Sequence, residues 1–215
     1  ASSIDDMSNL SKALRDKLKE NFSLHKLEID HSQFSEDLTI KNRFILYDGN
    51  YVEGVLIPTD NRMTACVSSQ VGCSLTCKFC ATGYMDRKRN LEFDEIYDQV
   101  VHLYQQAQTH YQHTLSNIVF MGMGEPLLNY ANVIKAIEKI SSPEGLGMSP
   151  SRITVSTAGV AKMIKKLGED KVRFNLAVSL HAANDKKRNE IMPINESNSM
   201  KVLLEEFNYS YKPPK

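Results

Sequence analysis

Tryptophan is absent from the 215 residues, and cysteine occurs at four positions only, Cys66, Cys73, Cys77 and Cys80. Neither sign of charge prevails: 26 basic and 26 acidic residues give a formal net charge of zero. Without a global positive field, any contact with RNA or DNA has to rest on local basic patches. No run approaches the ~18 apolar residues that a membrane span needs. The N-terminus lacks the basic-then-apolar pattern of an export signal. These absences predict a soluble chain of the cytoplasm with no membrane partner. Apolar residues at 41% and charged residues at 24% exclude collagen-like, mucin-like and wholly disordered chains. No repeat and no low-complexity tract is visible. The length fits one domain plus an appendage.

The cysteines are also missing where a disulfide framework would need them. All four fall between residues 66 and 80. Disulfide scaffolds spread cysteines to staple distant loops, and a chain this long does not depend on them. Clustering without a signal peptide points to metal or redox chemistry. Cys73-Ser-Leu-Thr-Cys77-Lys-Phe-Cys80 is a C-x3-C-x2-C loop whose thiolates can converge on one centre. Soft sulfur ligands select zinc, copper(I) or iron–sulfur clusters. A structural zinc wants four closed ligands, and Cys66 is the one further thiol for it. Three ligands to a four-iron cluster leave one iron open for a substrate or cofactor.

Periodicity places these residues. A helical piece is expected from Ala1 to about Ile29, capped at Ser8, with Leu10, Ala13, Leu14 and Leu18 on one face. Residues 39–47 and 51–57 flank Asp48-Gly49-Asn50 and predict a β-hairpin, with Pro58 stopping its second strand. Strands are expected at 63–68, 117–121, 152–156 and 174–179. Helices are expected at 93–111, 133–140, 160–167 and 200–207. Strands alternating with helices mean βα units on a parallel sheet, hence an α/β fold. Four such units fall short of an eight-fold barrel, which takes roughly 250 residues. The expected architecture is a partial, TIM-like (β/α) barrel or an open sheet, ending at Tyr211-Lys212-Pro213-Pro214-Lys215 without a closing strand. The expected divisions are a helical accessory piece over 1–35, a hairpin extension over 36–58 and the partial barrel over 59–215.

Other residues carry weaker signals. Strand alternation puts Glu53 on one face with Tyr51, Val55 and Ile57. If that face packs inward, desolvation raises the carboxylate into the range of a general base; an exposed hairpin edge is the alternative. Gly122-Met-Gly124-Glu125-Pro follows a strand at the end where parallel sheets bind ligands. There Glu125 would offer a hydrogen-bond acceptor to whatever binds, although such a turn is more often merely a tight loop. Ser156 and Ser179-Leu180-His181 also stand at strand ends, although a lone His is commonly a satisfied core residue. Arg87-Lys88-Arg89 and Lys186-Lys187-Arg188 are basic clusters, either phosphate contacts or solvated faces.

C-x3-C-x2-C after the first barrel strand resembles the radical S-adenosylmethionine (SAM) superfamily. Cys66-Val-Ser-Ser-Gln-Val-Gly-Cys73, Cys80-Ala-Thr-Gly83, Arg89-Asn-Leu91, Gly122-Met-Gly-Glu-Pro-Leu-Leu-Asn129, Ser156-Thr-Ala-Gly159 and Ser179-Leu-His-Ala182 together resemble the RlmN/Cfr family of adenine RNA methyltransferases. Asp86 departs from the pattern, because the family usually has glycine there. The resemblance implies a [4Fe–4S] cluster on Cys73, Cys77 and Cys80, with SAM bound at Gly124, Glu125, Ser156, Ser179, Leu180 and His181. It implies methylation of adenosine C2 in 23S rRNA and in tRNA next to the anticodon. Adenine C2 is electron-poor and does not attack a sulfonium methyl, so the cofactor carries radical chemistry.

In the family a 5′-deoxyadenosyl radical takes hydrogen from a methylated cysteine near the C-terminus, and the methylene radical adds to C2. Glu53 matches the proton acceptor and Cys66 the cysteine that resolves the protein–RNA adduct as a disulfide. The N-terminal piece matches part of an RNA-holding accessory domain, and a flavodoxin or ferredoxin is the usual electron donor. No cysteine follows Cys80. The chain is therefore expected to be a fragment or shortened member that binds a cluster without methylating RNA. The alternatives are a zinc-stapled RNA-binding module and a radical SAM enzyme with another substrate, such as adenosine C8.

Overall fold

The computed structural model describes residues 3–22 and 27–209. Residues 1–2, 23–26 and 210–215 lie outside that description, and with them parts of the expected N-terminal helix and the terminal segment around Tyr211. Helix α1 is Lys12–Asn21, and its cap is Ser11, whose hydroxyl accepts the Leu14 N–H at 3.3 Å. The expected cap, Ser8, sits in the preceding turns, its own N–H given to Asp6 O at 2.8 Å. Helix α1 buries none of its residues.

Strand β1, Glu28–Phe34, replaces the end of the expected helical piece. It pairs antiparallel with β2, Ile40–Ile45, which pairs with β3, Tyr51–Thr59, which pairs with β4, Arg62–Cys66. The polar run of β1 carries little hydrophobic signal; it is an edge strand, ordered by pairing. The β2–β3 hairpin turns at Asp48-Gly49-Asn50 as expected, with Gly49 at φ +76°. Pro58 does not end β3. It pairs with Met63 of β4, whereas β2 reaches only as far as Leu56 on the other side. Its missing N–H therefore leaves no rung of the β2–β3 ladder broken.

From β4 the chain alternates strand and helix. A small ribbon of β5, Gln70–Val71, and β6, Arg89–Asn90, brackets the cysteine loop. Then follow α2, Phe93–Tyr111; β7, Asn117–Phe120; α3, Tyr130–Ser141; β8, Ile153–Thr157; α4, Ala161–Glu169; β9, Asn175–Val178; α5, Asp185–Ile191; and α6, Met200–Tyr209. Strands β4, β7, β8 and β9 run parallel, and the main sheet has the order β1-β2-β3-β4-β7-β8-β9. The four expected βα units are present; α5, seven residues long and mostly polar, is an addition.

One face of the sheet is core. Ile40, Phe44, Val52, Leu56, Ala65, Ile118, Phe120, Ile153 and Val155 are buried against Ile96, Val100 and Leu103 of α2 and the apolar faces of α3 and α4. The opposite face, with Val55, Thr64, Cys66, Val119, Thr154 and Ser156 in register, is only partly buried. Period-two alternation thus separates a helix-covered face from a working face that opens, at the carboxyl ends of the parallel strands, onto the cysteine loop.

Candidate active site

The carboxyl ends of β4 and β7 are locked together by buried polar groups. The Ser68 N–H donates to Gln99 Oε1 at 2.9 Å, and Gln99 Nε2 returns a bond to Ser68 O at 3.1 Å. The Ser68 hydroxyl donates to Glu53 O at 2.5 Å and accepts the Met123 N–H at 2.8 Å. Gln70 Oε1 accepts the Glu125 N–H at 2.8 Å, and Asn129 Nδ2 donates to Ser69 O and Leu91 O at 2.8 and 2.7 Å. In a buried setting each of these bonds is costly to leave unmade. Gly124 has φ +91°, and a Cβ there would lie 2.4 Å from Gln70 Cβ. The glycine-rich turn is thus required by its approach to Gln70. Ser68, Gln70 and Asn129 were inside the quoted motifs and Gln99 was not, and a one-dimensional pattern did not reveal what any of them bond.

The cysteine loop hangs from this frame. Thr76 adopts φ +49°, and Gly83 sits so close to Cys77 that a Cβ would lie 2.4 Å from its carbonyl oxygen. Lys78 N–H donates to Ile191 O at 2.9 Å, tying the loop to the end of α5. Asp86 is not in the left-handed region that would demand glycine, so the departure from the family pattern is tolerated by the backbone.

Cys73, Cys77 and Cys80 line one cavity of about 240 Å3 together with Gly124, Glu125, Ser156 and Ser179. All four cysteines are free thiols. Burial pushes the Cys77 thiol up to about 11, and the neighbouring Cys73, Cys80 and Glu125 add to the rise. Cys73 is raised by burial first, then by Glu125 and Cys80. Three sulfurs and a carboxylate that repel as anions form a site that cationic iron would neutralise. Among the described residues no three His, Cys, Asp or Glu side chains are drawn tightly enough for a single metal ion. Three soft sulfur donors on one cavity suit an iron–sulfur cluster, and the donor set fits it.

Glu125 is buried, and its two oxygens accept the Leu127 N–H at 3.1 Å and the Ala158 N–H at 2.7 Å. Burial raises its pKa and outweighs those bonds. The Thr157 hydroxyl is a third donor to the carboxylate, which leaves one lone pair for a cationic ligand. Ser156 and Ser179 hydroxyls lie 3.3 Å apart on adjacent strand ends. Leu180 and His181 are exposed and outside the cavity lining; His181 has φ +53°, and its ring lies 3.9 Å from that of Phe79 in the cysteine loop.

Arg188 was missed as a site residue. It is fully buried, donating to Ala158 O at 2.5 Å, Leu180 O at 3.2 Å, Ser179 O at 3.4 Å and the Asn195 side chain. It joins the loop after β8, just beyond Ser156, to the loop after β9 that begins at Ser179. The Lys186-Lys187-Arg188 run is therefore no uniform solvated or phosphate-binding face. Arg89 is likewise occupied, by Glu95 at 2.7 and 2.8 Å and by Asp48 at 2.6 Å. A charge run read in one dimension does not show which member turns inward.

Glu53 does not meet the condition set for it. The inward face of β3 is Val52, Gly54 and Leu56, because α2 packs there. Glu53 lies on the working face, 47% exposed and ion-paired with Lys41 at 2.7 Å. Cys66 shares that face, opposite Val55. It does not line the cavity, and burial pushes its thiol up to about 11.

A family model described as the radical SAM superfamily matches residues 67–205. The chain belongs to the radical SAM superfamily. This radical SAM protein is 65% identical over 205 residues to the probable dual-specificity RNA methyltransferase RlmN of Cytophaga hutchinsonii, covering 95% of this chain and 56% of that one. It is 55% identical over 215 residues to the protein of the same name from Flavobacterium johnsoniae, covering 100% of this chain and 62% of that one. A crystal structure of a radical SAM methyltransferase from Sphaerobacter thermophilus superposes with TM-score 0.89 at 37% identity, over 99% of this chain and 64% of that one. The chain thus spans about three fifths of the length of the curated relatives it matches. Membership in the radical SAM superfamily implies a [4Fe–4S] cluster and SAM as cofactors, and the expected partial barrel is the fold observed. Among the described residues no helix is long and apolar enough to cross a membrane.

Proposed function

We propose that this chain is the cofactor-binding part of a cytoplasmic RNA methyltransferase that acts on adenosine C2 of 23S rRNA and tRNA. The observation that carries this is the single cavity shared by Cys73, Cys77, Cys80, Glu125, Ser156 and Ser179. It lies in a chain whose relatives carry the name dual-specificity RNA methyltransferase. When bound, the cluster and SAM supply the one-electron chemistry that an electron-poor ring carbon requires.

The chain's own residues have separable tasks. The three thiolates hold the cluster. Glu125, fixed by two backbone N–H groups and the Thr157 hydroxyl, offers its remaining lone pair to the SAM ammonium. Ser156 and Ser179 offer hydroxyls to the SAM carboxylate. Gly124, Leu180 and His181 shape the rim. Glu53 accepts the C2 proton, and Cys66 resolves the protein–RNA adduct; both stand on the working face. A flavodoxin or ferredoxin supplies electrons, and the N-terminal residues 1–35 help to hold RNA.

Anaerobic reconstitution tests this. We expect a brown protein with iron and sulfide near four each per chain, lost in Cys73→Ala, Cys77→Ala and Cys80→Ala and kept in Cys66→Ala. A colourless zinc protein would replace the proposal with the RNA-binding module. Loss of iron in Cys66→Ala would make Cys66 a ligand instead. Mass spectrometry of treated RNA reports the product. Formation of 2-methyladenosine by these 215 residues would show that no cysteine after Cys80 is needed as methyl carrier, because the sequence has none there.

A further inference from the structure

Cys73 lines two cavities. One is the cavity shared with Glu125 and the two serines. The other, about 500 Å3, opens on the outer side of the cysteine loop between Ser74, Thr76, Gly83, Tyr84, Met85, Asp86 and Arg87. Cys73 is the residue common to both linings, so it stands between the inner cavity and this outer surface. The outer rim is apolar and cationic. Tyr84 is 76% exposed and Met85 48% exposed, and Lys78, Arg87 and Lys88 are exposed beside them. Asp86 is the opposing charge in the lining. The rim is held in place: the Tyr84 hydroxyl donates to Lys78 O at 2.8 Å, Lys88 N–H to Val71 O at 2.8 Å, and Cys73 N–H to Met85 O at 3.3 Å.

We propose that this outer surface is where an acidic one-electron carrier protein, a low-potential flavoprotein or iron–sulfur protein, docks to reduce the cluster. The inference rests on Cys73 being a cluster ligand. The electron balance is simple: the reduced carrier loses one electron, the cluster gains it, and no bond or proton moves. Electron transfer falls steeply with distance, so a carrier has to sit against a ligand. The outer cavity offers Cys73 without displacing anything bound beside Glu125. Exposed apolar groups ringed by cations suit a small, transient interface with an acidic partner, at the size of about 1,200 Å2 or less usual for electron-transfer encounters. RNA is the less favoured occupant. Its target base has to reach the inner cavity and working face, on the other side of Cys73.

The test uses the whole reconstituted chain and Arg87→Glu/Lys88→Glu, neither residue being a ligand or part of the inner cavity. The probe is a bacterial flavodoxin, with dithionite as a small reductant that needs no docking. Titration calorimetry with oxidised flavodoxin should show binding that weakens about tenfold or more in the double variant and at high salt. Flavodoxin-driven reduction of the cluster, followed by its visible absorption, should slow to a similar degree. Dithionite-driven reduction should be unchanged. Equal flavodoxin binding and reduction by both proteins would overturn the proposal. So would a double variant that loses RNA binding in a gel-shift assay while its reduction by flavodoxin is unaffected. If the wild-type chain takes up no iron, the cluster assignment fails instead; calorimetry with flavodoxin reads the docking surface independently of that failure.

Discussion

Cys66 is a thiol whose chemistry is set by its surroundings. Burial lifts it to about 11. Only the thiolate is nucleophilic, so the residue is largely silent at neutral pH until a partner or base is brought to it. Iodoacetamide modification of Cys66, mapped by mass spectrometry, should accelerate with pH up to about 11; a plateau near the ordinary thiol value of 9 would refute the burial effect. The sign for stability follows: the folded state holds this proton more tightly, so the contribution is present below about pH 9 and is lost as pH rises to about 11. Arg188 shows the opposite kind of residue, one whose charge is spent internally. Replacing it by Ala removes the side-chain donor from the carbonyls of Ala158 and Ser179 and leaves Leu180 O with the Ala182 N–H. We expect a loss of about 3 kcal/mol in denaturant unfolding, with Lys restoring less than half, because a point charge cannot reproduce a planar fork. That Cys73, Cys77 and Cys80 come together was legible, because their spacing keeps three thiols on one short loop, and they line one cavity. Arg188 was not, because nothing in Lys186-Lys187-Arg188 says which side chain turns inward.

At the scale of elements, the site is a matter of how strand ends are joined. Gly124 lets the turn after β7 pass against Gln70. Gly124→Ala combines a left-handed φ with an overlap at 2.4 Å. It should cost about 2–3 kcal/mol in unfolding experiments and weaken SAM binding through displacement of Glu125. Gln99, on α2, clasps the backbone of Ser68 from both sides. Gln99→Leu should lower stability by about 2 kcal/mol while leaving the circular dichroism of the helices intact. Helix α2 was readable end to end from its period, and the β2–β3 hairpin from Asp48-Gly49-Asn50. Strand β1 was not, because His31, Ser32 and Gln33 show no hydrophobic alternation and become a strand only by pairing with β2.

Across the whole molecule, the antiparallel hairpins and the parallel βα units form one sheet, and Arg89 ties them together by bonding Asp48 in the hairpin turn and Glu95 on α2. That pairing holds the Asp48 carboxyl well below the usual carboxylate range. Its contribution is present above the ordinary Asp value of 3.8 and is lost as pH falls through the depressed one. Asp48→Asn should therefore lower the melting temperature at pH 7, with a gap to wild type that narrows in acid below about pH 3.8. The sequence by itself determined the fold class and the gathering of three thiols on one loop. Alternation of β and α periods, and thiols with three and then two residues between them, are local regularities that need no knowledge of the rest of the chain. Only the tertiary structure decided which face of β3 carries Glu53, which arginines are buried, and that Cys73 stands between two cavities. Those facts depend on what packs against each residue from distant segments, and a one-dimensional pattern does not contain that.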